Sequence, residues 1–282
     1  MFEHYREGGL GSVTDLKLIF GFPVAERFAY SKHLYYSIKK FCYDPLVLFA
    51  SNKNIGHSYD RLTKIKSRRR YRIHQIHNFV FDAFEEIRNL DFDYFVKLDS
   101  DCLFTNFGFE GIFDQKFDFL DSVDQSNDRY EWYHTKEFLK SAESYRRLLS
   151  DLELSRRDPR ISGCFCALQI YSKKAVCFIA DRIKIIESNI GYIEMVQKDL
   201  CLSELLIPNL LKDAGFKFRI IRLPEKKAGS PWRGVRWRPH VGKEEIELLA
   251  NRDLPVLYHP INRKFFDKTR MILLKKIGYK WL

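Results

Sequence analysis

The sequence predicts an α/β fold built on a central, mostly parallel sheet flanked by helices. Three observations carry this expectation. Apolar runs of strand length alternate with helix-length segments in the order strand, helix, strand, helix, strand before residue 99. Two strands joined through a helix run parallel by a right-handed crossover, so the first three strands share one direction. The chain has 282 residues, 45% of them hydrophobic, which is enough to cover a sheet on both faces.

The first strand spans 16–22 and Pro23 closes it, because proline cannot donate to a ladder. Residues 25–41 have helical spacing and end on Lys39 and Lys40, cations suited to the negative end of a helix. The second strand is "PLVLFA" (45–50), followed by the polar "SNKN". In 72–90, Ile73, Ile76, Val80, Phe84 and Ile87 fall on one face of a helix. "DYFVKL" (93–98) is the third strand.

The later half mixes short strands at 117–122, 164–171, "FKFRII" and "LPVLYH" with three helices. These helices cover 134–154, 172–188 capped by Ser172, and 198–215, which is kinked at Pro208 and stopped by Gly215. No repeat, low-complexity tract or linker divides the chain. Residues 15–261 therefore read as one domain, with an extension at 1–14 and a basic amphipathic segment at 262–282.

Charge narrows the partners. The net charge is +11, from 48 basic and 37 acidic residues, and such a surplus attracts phosphates in nucleic acid, on a membrane or in a nucleotide. It gathers in 64–72, 225–243 and 262–280. No zinc finger, helix-turn-helix or RNA-binding signature accompanies it, so nucleic acid is not the expected partner. Arg68 to Arg70 read as a surface run, whereas Arg72 opens a helix just ahead of the third strand and is better placed for a phosphate. Six cysteines lie in apolar segments without a CxxC pair, which argues against zinc and for a reducing cytoplasm. No apolar run approaches the roughly 20 residues needed to span a bilayer, and the first residues lack the apolar core of a signal peptide.

The chemistry centres on "FVKLDSDCLF" (95–104). Asp99 and Asp101 stand where an apolar strand ends, and open α/β sheets place ligand sites at such ends. A short Asp-x-Asp can simply cap a turn. Two carboxylates at i and i+2 can also meet one hard cation, Mn²⁺ or Mg²⁺, and bridge it to phosphate.

"DYFVKLDSDCLF" resembles the DxD region of nucleotide-sugar glycosyltransferases with the GT-A fold, a single Rossmann-like domain. The resemblance implies that Asp101 ligates the cation, with Asp99 beside it on the metal, its water or the ribose, and that Lys97 belongs to a K-x-D-x-D form. It implies a further metal ligand in the late His259, and an acceptor-side strand in "SGCFCALQIYSKKA". It also implies a base at the start of the following helix, where Glu204 is preferred and Asp199 is the rival. Phe22 and Pro23 are candidates to stack a nucleobase. Where many members carry an acid after the second strand, this chain has Ser51 and Asn52, so the base contact falls to an amide. "AGSPWRGVRWRPH" is expected to close over the donor through Trp232 and Arg236.

The implied activity is transfer of a sugar from a nucleotide-diphosphate donor, a UDP-sugar first, to a saccharide or lipid-linked acceptor, as in cell-surface polysaccharide synthesis. Two rivals remain: a haloacid-dehalogenase-type phosphatase using the same acids, and a non-enzymatic basic phosphate- or membrane-binding module. The phosphatase class usually carries its DxD on a first strand with a later GDxxxD cluster, neither of which this chain has. In the tail, Phe265, Phe266, Thr269, Ile272, Leu273 and Ile277 share a helical face opposite Lys264, Lys268 and Lys275. That face suits either the inner surface of an anionic membrane or the protein's own sheet.

Overall fold

The computed structural model describes residues 16–24, 28–42, 44–51, 62–66, 68–69, 76–121, 138–157, 161–164, 167–196, 202–220, 235–237, 257–259 and, apart from Leu273 and Lys276, 271–279. The elements in chain order begin with β1 (Leu18–Val24), α1 (Phe28–Phe41), β2 (Leu46–Ser51), β3 (Leu62–Lys64), α2 (Ile76–Ile87), β4 (Tyr94–Leu98) and β5 (Leu103–Phe104). A 3₁₀ helix (Phe109–Phe113) and β6 (Phe119–Asp121) follow, then α3 (Ala142–Asp151), β7 (Leu168–Ser172), α4 (Lys173–Ala180), α5 (Ile183–Val196) and α6 (Leu202–Asp213). The short strands β8 (Phe218–Ile220), β9 (Val235–Trp237) and β10 (Leu257–His259) complete the described elements.

The main sheet has seven strands in the order β3-β2-β1-β4-β7-β6-β8. β1 pairs in parallel with β2 and β4, β2 with β3, and β6 with β8, while β7 runs antiparallel to both β4 and β6. The fold class expected from the sequence stands: this is an α/β protein with a mostly parallel sheet and helices on both faces.

Period-two alternation sorts the side chains. Phe20, Phe22, Phe49, Val96 and Leu98 point to the face covered by α1, joining its buried Leu34 and Ile38. Ile19, Leu48 and Phe95 point the other way, to Phe79, Phe84 and Ile87 of α2. Each fully buried phenylalanine or leucine stabilises the fold by about 1.5–3 kcal/mol, which explains why these strands were visible as apolar runs.

β1 does not stop at Pro23 but runs through it to Val24. Beyond Gly21 the strand has no further partner in β4 and pairs only with β2, so Pro23 sits where one side of the ladder is already an edge. Gly21 itself is required by packing. A Cβ there would lie 2.7 Å from Cε2 of the buried Phe95 ring and 3.3 Å from Phe79. Gly21→Ala is expected to destabilise the protein by about 1–3 kcal/mol, the usual cost of overpacking, read as a lower denaturation midpoint at unchanged slope.

Within the basic run, Arg69 is drawn into the protein. Asp82 of α2 accepts the backbone N–H of Arg68 at 2.9 Å and of Arg69 at 3.3 Å. The Arg69 guanidinium pairs with Asp82 and with Glu187 of α5, and meets Glu85 at 3.0 Å. Arg69 is thus a clasp between two helices, because the buried Asp82 carboxylate needs a partner.

His77 lies beneath this clasp, edge-on to Phe81. Burial first, and the Arg69 charge second, lower its pKa from 6.5 to about 4. Its folded pKa is depressed, so the unfolded chain takes up the proton first. Stability should hold above pH 6.5 and fall by about 3 kcal/mol as pH drops towards 4. Denaturant titrations across that window check this, and a His77→Gln variant should lose part of the slope.

Part of the tail packs on the protein itself. Leu274 and Ile277 are buried in the core beside α1. Tyr36 donates to the Gly278 carbonyl at 2.9 Å, and the Tyr279 ring stands edge-on to His33 and Tyr36. Of the face expected to meet a membrane, Ile277 is therefore occupied and Ile272 is partly exposed, while Phe265, Phe266, Thr269 and Leu273 lie outside the described residues. Among the described residues no helix is long and apolar enough to cross a membrane.

Candidate functional site

β1 leads through α1 to β2 on one side, whereas β4 joins β1 on the other. That reversal is the topological switch point, and ligands of open α/β sheets bind outside the strand C-termini there. Asp99 follows the last residue of β4 directly. The segment 99–102 closes as a tight turn, with the Cys102 N–H donating to the Asp99 carbonyl at 3.0 Å. The Ala167 carbonyl, at the start of β7, accepts from the Asp99 N–H at 3.4 Å and from the Cys102 thiol at 3.3 Å. The acid pair is therefore pinned between two strands. Asp101 is buried at 4% exposure, and the Asp99 side chain keeps 16%.

The turn leads into β5, which no periodicity could have revealed because it is two residues long. β5 pairs antiparallel with β10, Leu103 opposite Tyr258 and Phe104 opposite Leu257. His259 follows Tyr258 as the last residue of β10, one position beyond the last pair with β5. β9 runs parallel beside β10, with Arg236 opposite Tyr258 and Trp237 opposite His259. The small sheet β5-β10-β9 thus sets β10 directly beside the strand that follows the acid turn, with the backbone of Arg236 one strand further out.

Other expected residues are placed differently. Phe22 is wholly buried in the α1-side core and offers no ring face to a nucleobase, because β1 continues past it. Pro23 is half-buried near the end of β1. Lys97 is 0% exposed and donates to Asp99 Oδ1 at 2.6 Å. Asn52, Arg72, Asp199 and Trp232 lie outside the described residues.

Glu204 is not a solvated helix residue. It is 4% exposed in the first turn of α6. Pro208, which has no N–H, cannot make the helical bond to the Glu204 carbonyl four residues back. That carbonyl instead accepts the Cys164 N–H at 2.8 Å. Asn209 reinforces the junction, donating to the Ser162 carbonyl at 2.7 Å and accepting from the Ser162 N–H at 3.1 Å. The Gln169 amide reaches the Ser203 carbonyl at 3.1 Å, and Asp121, ending β6, accepts the Gly163 N–H at 3.2 Å. Helix start, acceptor-side segment and strand ends are stitched into one buried polar layer.

The field of this layer is legible at its two cysteines. Burial, followed by the charges of Asp101 and Asp99, raises the Cys102 thiol well above its ordinary range. Burial, followed by Asp121 and Glu204, does the same at Cys164. Lys97 opposes the shift at both. Gln169 and Asp121 were missed from sequence, although a glutamine inside the apolar "CFCALQIY" was a usable signal. Among the described residues no group of three or more His, Cys, Asp or Glu side chains is arranged to hold a metal. Two carboxylates on one tight turn remain a hard-oxygen donor pair, which suits Mg²⁺ or Mn²⁺ completing its shell with phosphate and water.

The fold and site define an open α/β protein with an acidic turn at the switch point of its sheet. No protein-family model matches the chain, and no curated protein matches it in sequence. Among solved structures, that of an active-site mutant of LgtC aligns over 92% of this chain and 95% of its own, at 13% identity and a TM-score of 0.46. At that distance the likeness carries no assignment, and the fold class rests on the strand order itself.

Proposed function

We propose that this protein is a metal-dependent glycosyltransferase that moves a sugar from a nucleotide-diphosphate donor, a UDP-sugar first, to a hydroxyl of a saccharide or lipid-linked saccharide. The observation that carries the reading is the 99–102 turn at the switch point, leading into a strand that pairs with the strand of His259. Asp99 and Asp101, with His259, are the residues to hold a divalent ion. Bound there, Mn²⁺ or Mg²⁺ supplies Lewis-acid neutralisation of the diphosphate leaving group. Pro23 and Asn52 border the nucleoside, while Arg72, Trp232 and Arg236 cover the phosphates and sugar. Glu204, or Asp199 in its place, accepts the proton of the attacking hydroxyl. Lys97 donates to Asp99 Oδ1 and holds that carboxylate in position.

Thermal unfolding with nucleotides tests this reading. UDP should raise the melting temperature when Mn²⁺ is present and lose that effect in EDTA. Protection that is equal in EDTA contradicts the proposal, and stronger protection by GDP would reassign the donor.

A further inference from the structure

A lysine without exposed surface is tolerated only when a partner holds its charge. Lys97 is such a residue, and its ammonium lies 2.6 Å from Asp99 Oδ1. It stands in register with Gln169, whose amide is tied to the first turn of α6. Its charge reaches the thiol beside Asp99 and Asp101 as well as the thiol beside Asp121 and Glu204. One buried ammonium, bonded to Asp99, therefore belongs to the same buried polar layer as Gln169 and the first turn of α6.

We propose that Lys97 is a positioning residue that makes cation binding depend on the donor, an inference that rests on the function proposed above. By engaging one oxygen of Asp99, it offsets part of the negative charge that would draw in a divalent ion. In a buried setting that offset is little screened by salt. A cation alone then binds weakly. A nucleoside diphosphate brings its own negative oxygens, restores the attraction and binds together with the ion.

The test is Mn²⁺ binding, read from the EPR signal of the free ion, with and without UDP. It compares the wild type with Lys97→Met, similar in length but uncharged, and with Lys97→Gln, which keeps an N–H donor for Asp99. Each variant should bind Mn²⁺ alone about tenfold tighter than the wild type, with the gap narrowing when UDP is added. Damage to the fold cannot produce that gain. If the wild type binds Mn²⁺ more tightly with UDP and the folded variants behave like it, this inference falls and the proposed function stands. If UDP leaves the wild-type affinity unchanged, the proposed function falls and takes the inference with it. If neither variant folds, Lys97 is structural and the inference is overturned.

Discussion

Asp101→Asn should abolish Mn²⁺-dependent donor binding and lower sugar transfer by about a thousandfold or more, with the fold intact. The substitution keeps the shape of a side chain that is 4% exposed and removes only its charge. An amide oxygen is a poor substitute for a carboxylate on a hard dication, and losing that interaction in the transition state should cost about 4 kcal/mol or more. The turn should survive, because the bonds that close it are made by the backbone of Asp99 and Cys102 and by Ala167. Initial rates across a Mn²⁺ series, beside a melting curve, check the prediction. Normal turnover at saturating Mn²⁺ would remove Asp101 from the site.

Glu204→Gln should leave donor binding near normal and reduce transfer by about a hundredfold to ten-thousandfold, the range expected when a general base is lost. The position is well fixed. The Glu204 carbonyl is held by Cys164, and the next turn is held through Asn209 and Ser162. A glutamine can be accommodated without disturbing either link, because both use the backbone of α6 or another side chain. UDP binding and melting temperature should therefore match the wild type while the acceptor reaction slows. Transfer at the wild-type rate would shift the role to Asp199 or to a mechanism without a base.

How much of this was legible in the sequence depends on length and burial. β1, β2 and β4 announced themselves because both faces of each are covered, which demands near-continuous apolar residues. Ser172 was recognised as a helix cap and accepts the Ala175 N–H at 3.2 Å. The helix it opens ends at Ala180 and a new one begins at Ile183, a break that helical periodicity does not register. β5 and β9 are stretches of two or three residues defined by what they pair with, so local pattern is silent about them.

The site divides in the same way. Asp99 and Asp101 were visible as polar residues interrupting an apolar run. Their surroundings were not, because the partners arrive from distant parts of the chain. Lys97 reads as part of a K-x-D-x-D form, and only the structure reveals that it is buried and paired with Asp99. Phe22 reads as a candidate to stack a nucleobase until its burial in the α1-side core is seen. Arg69 reads as solvated until Asp82, Glu85 and Glu187 are brought around it from two helices. A charged run in sequence carries no information about which carboxylates will meet it.

The most direct test of the central claim is anomalous X-ray diffraction from crystals grown with Mn²⁺ and UDP. The account predicts a manganese peak at the 99–102 turn, with carboxylate oxygens of Asp99 or Asp101 on one side and the UDP diphosphate on the other. A manganese peak away from that turn, or UDP bound at a different edge of the sheet, would contradict it.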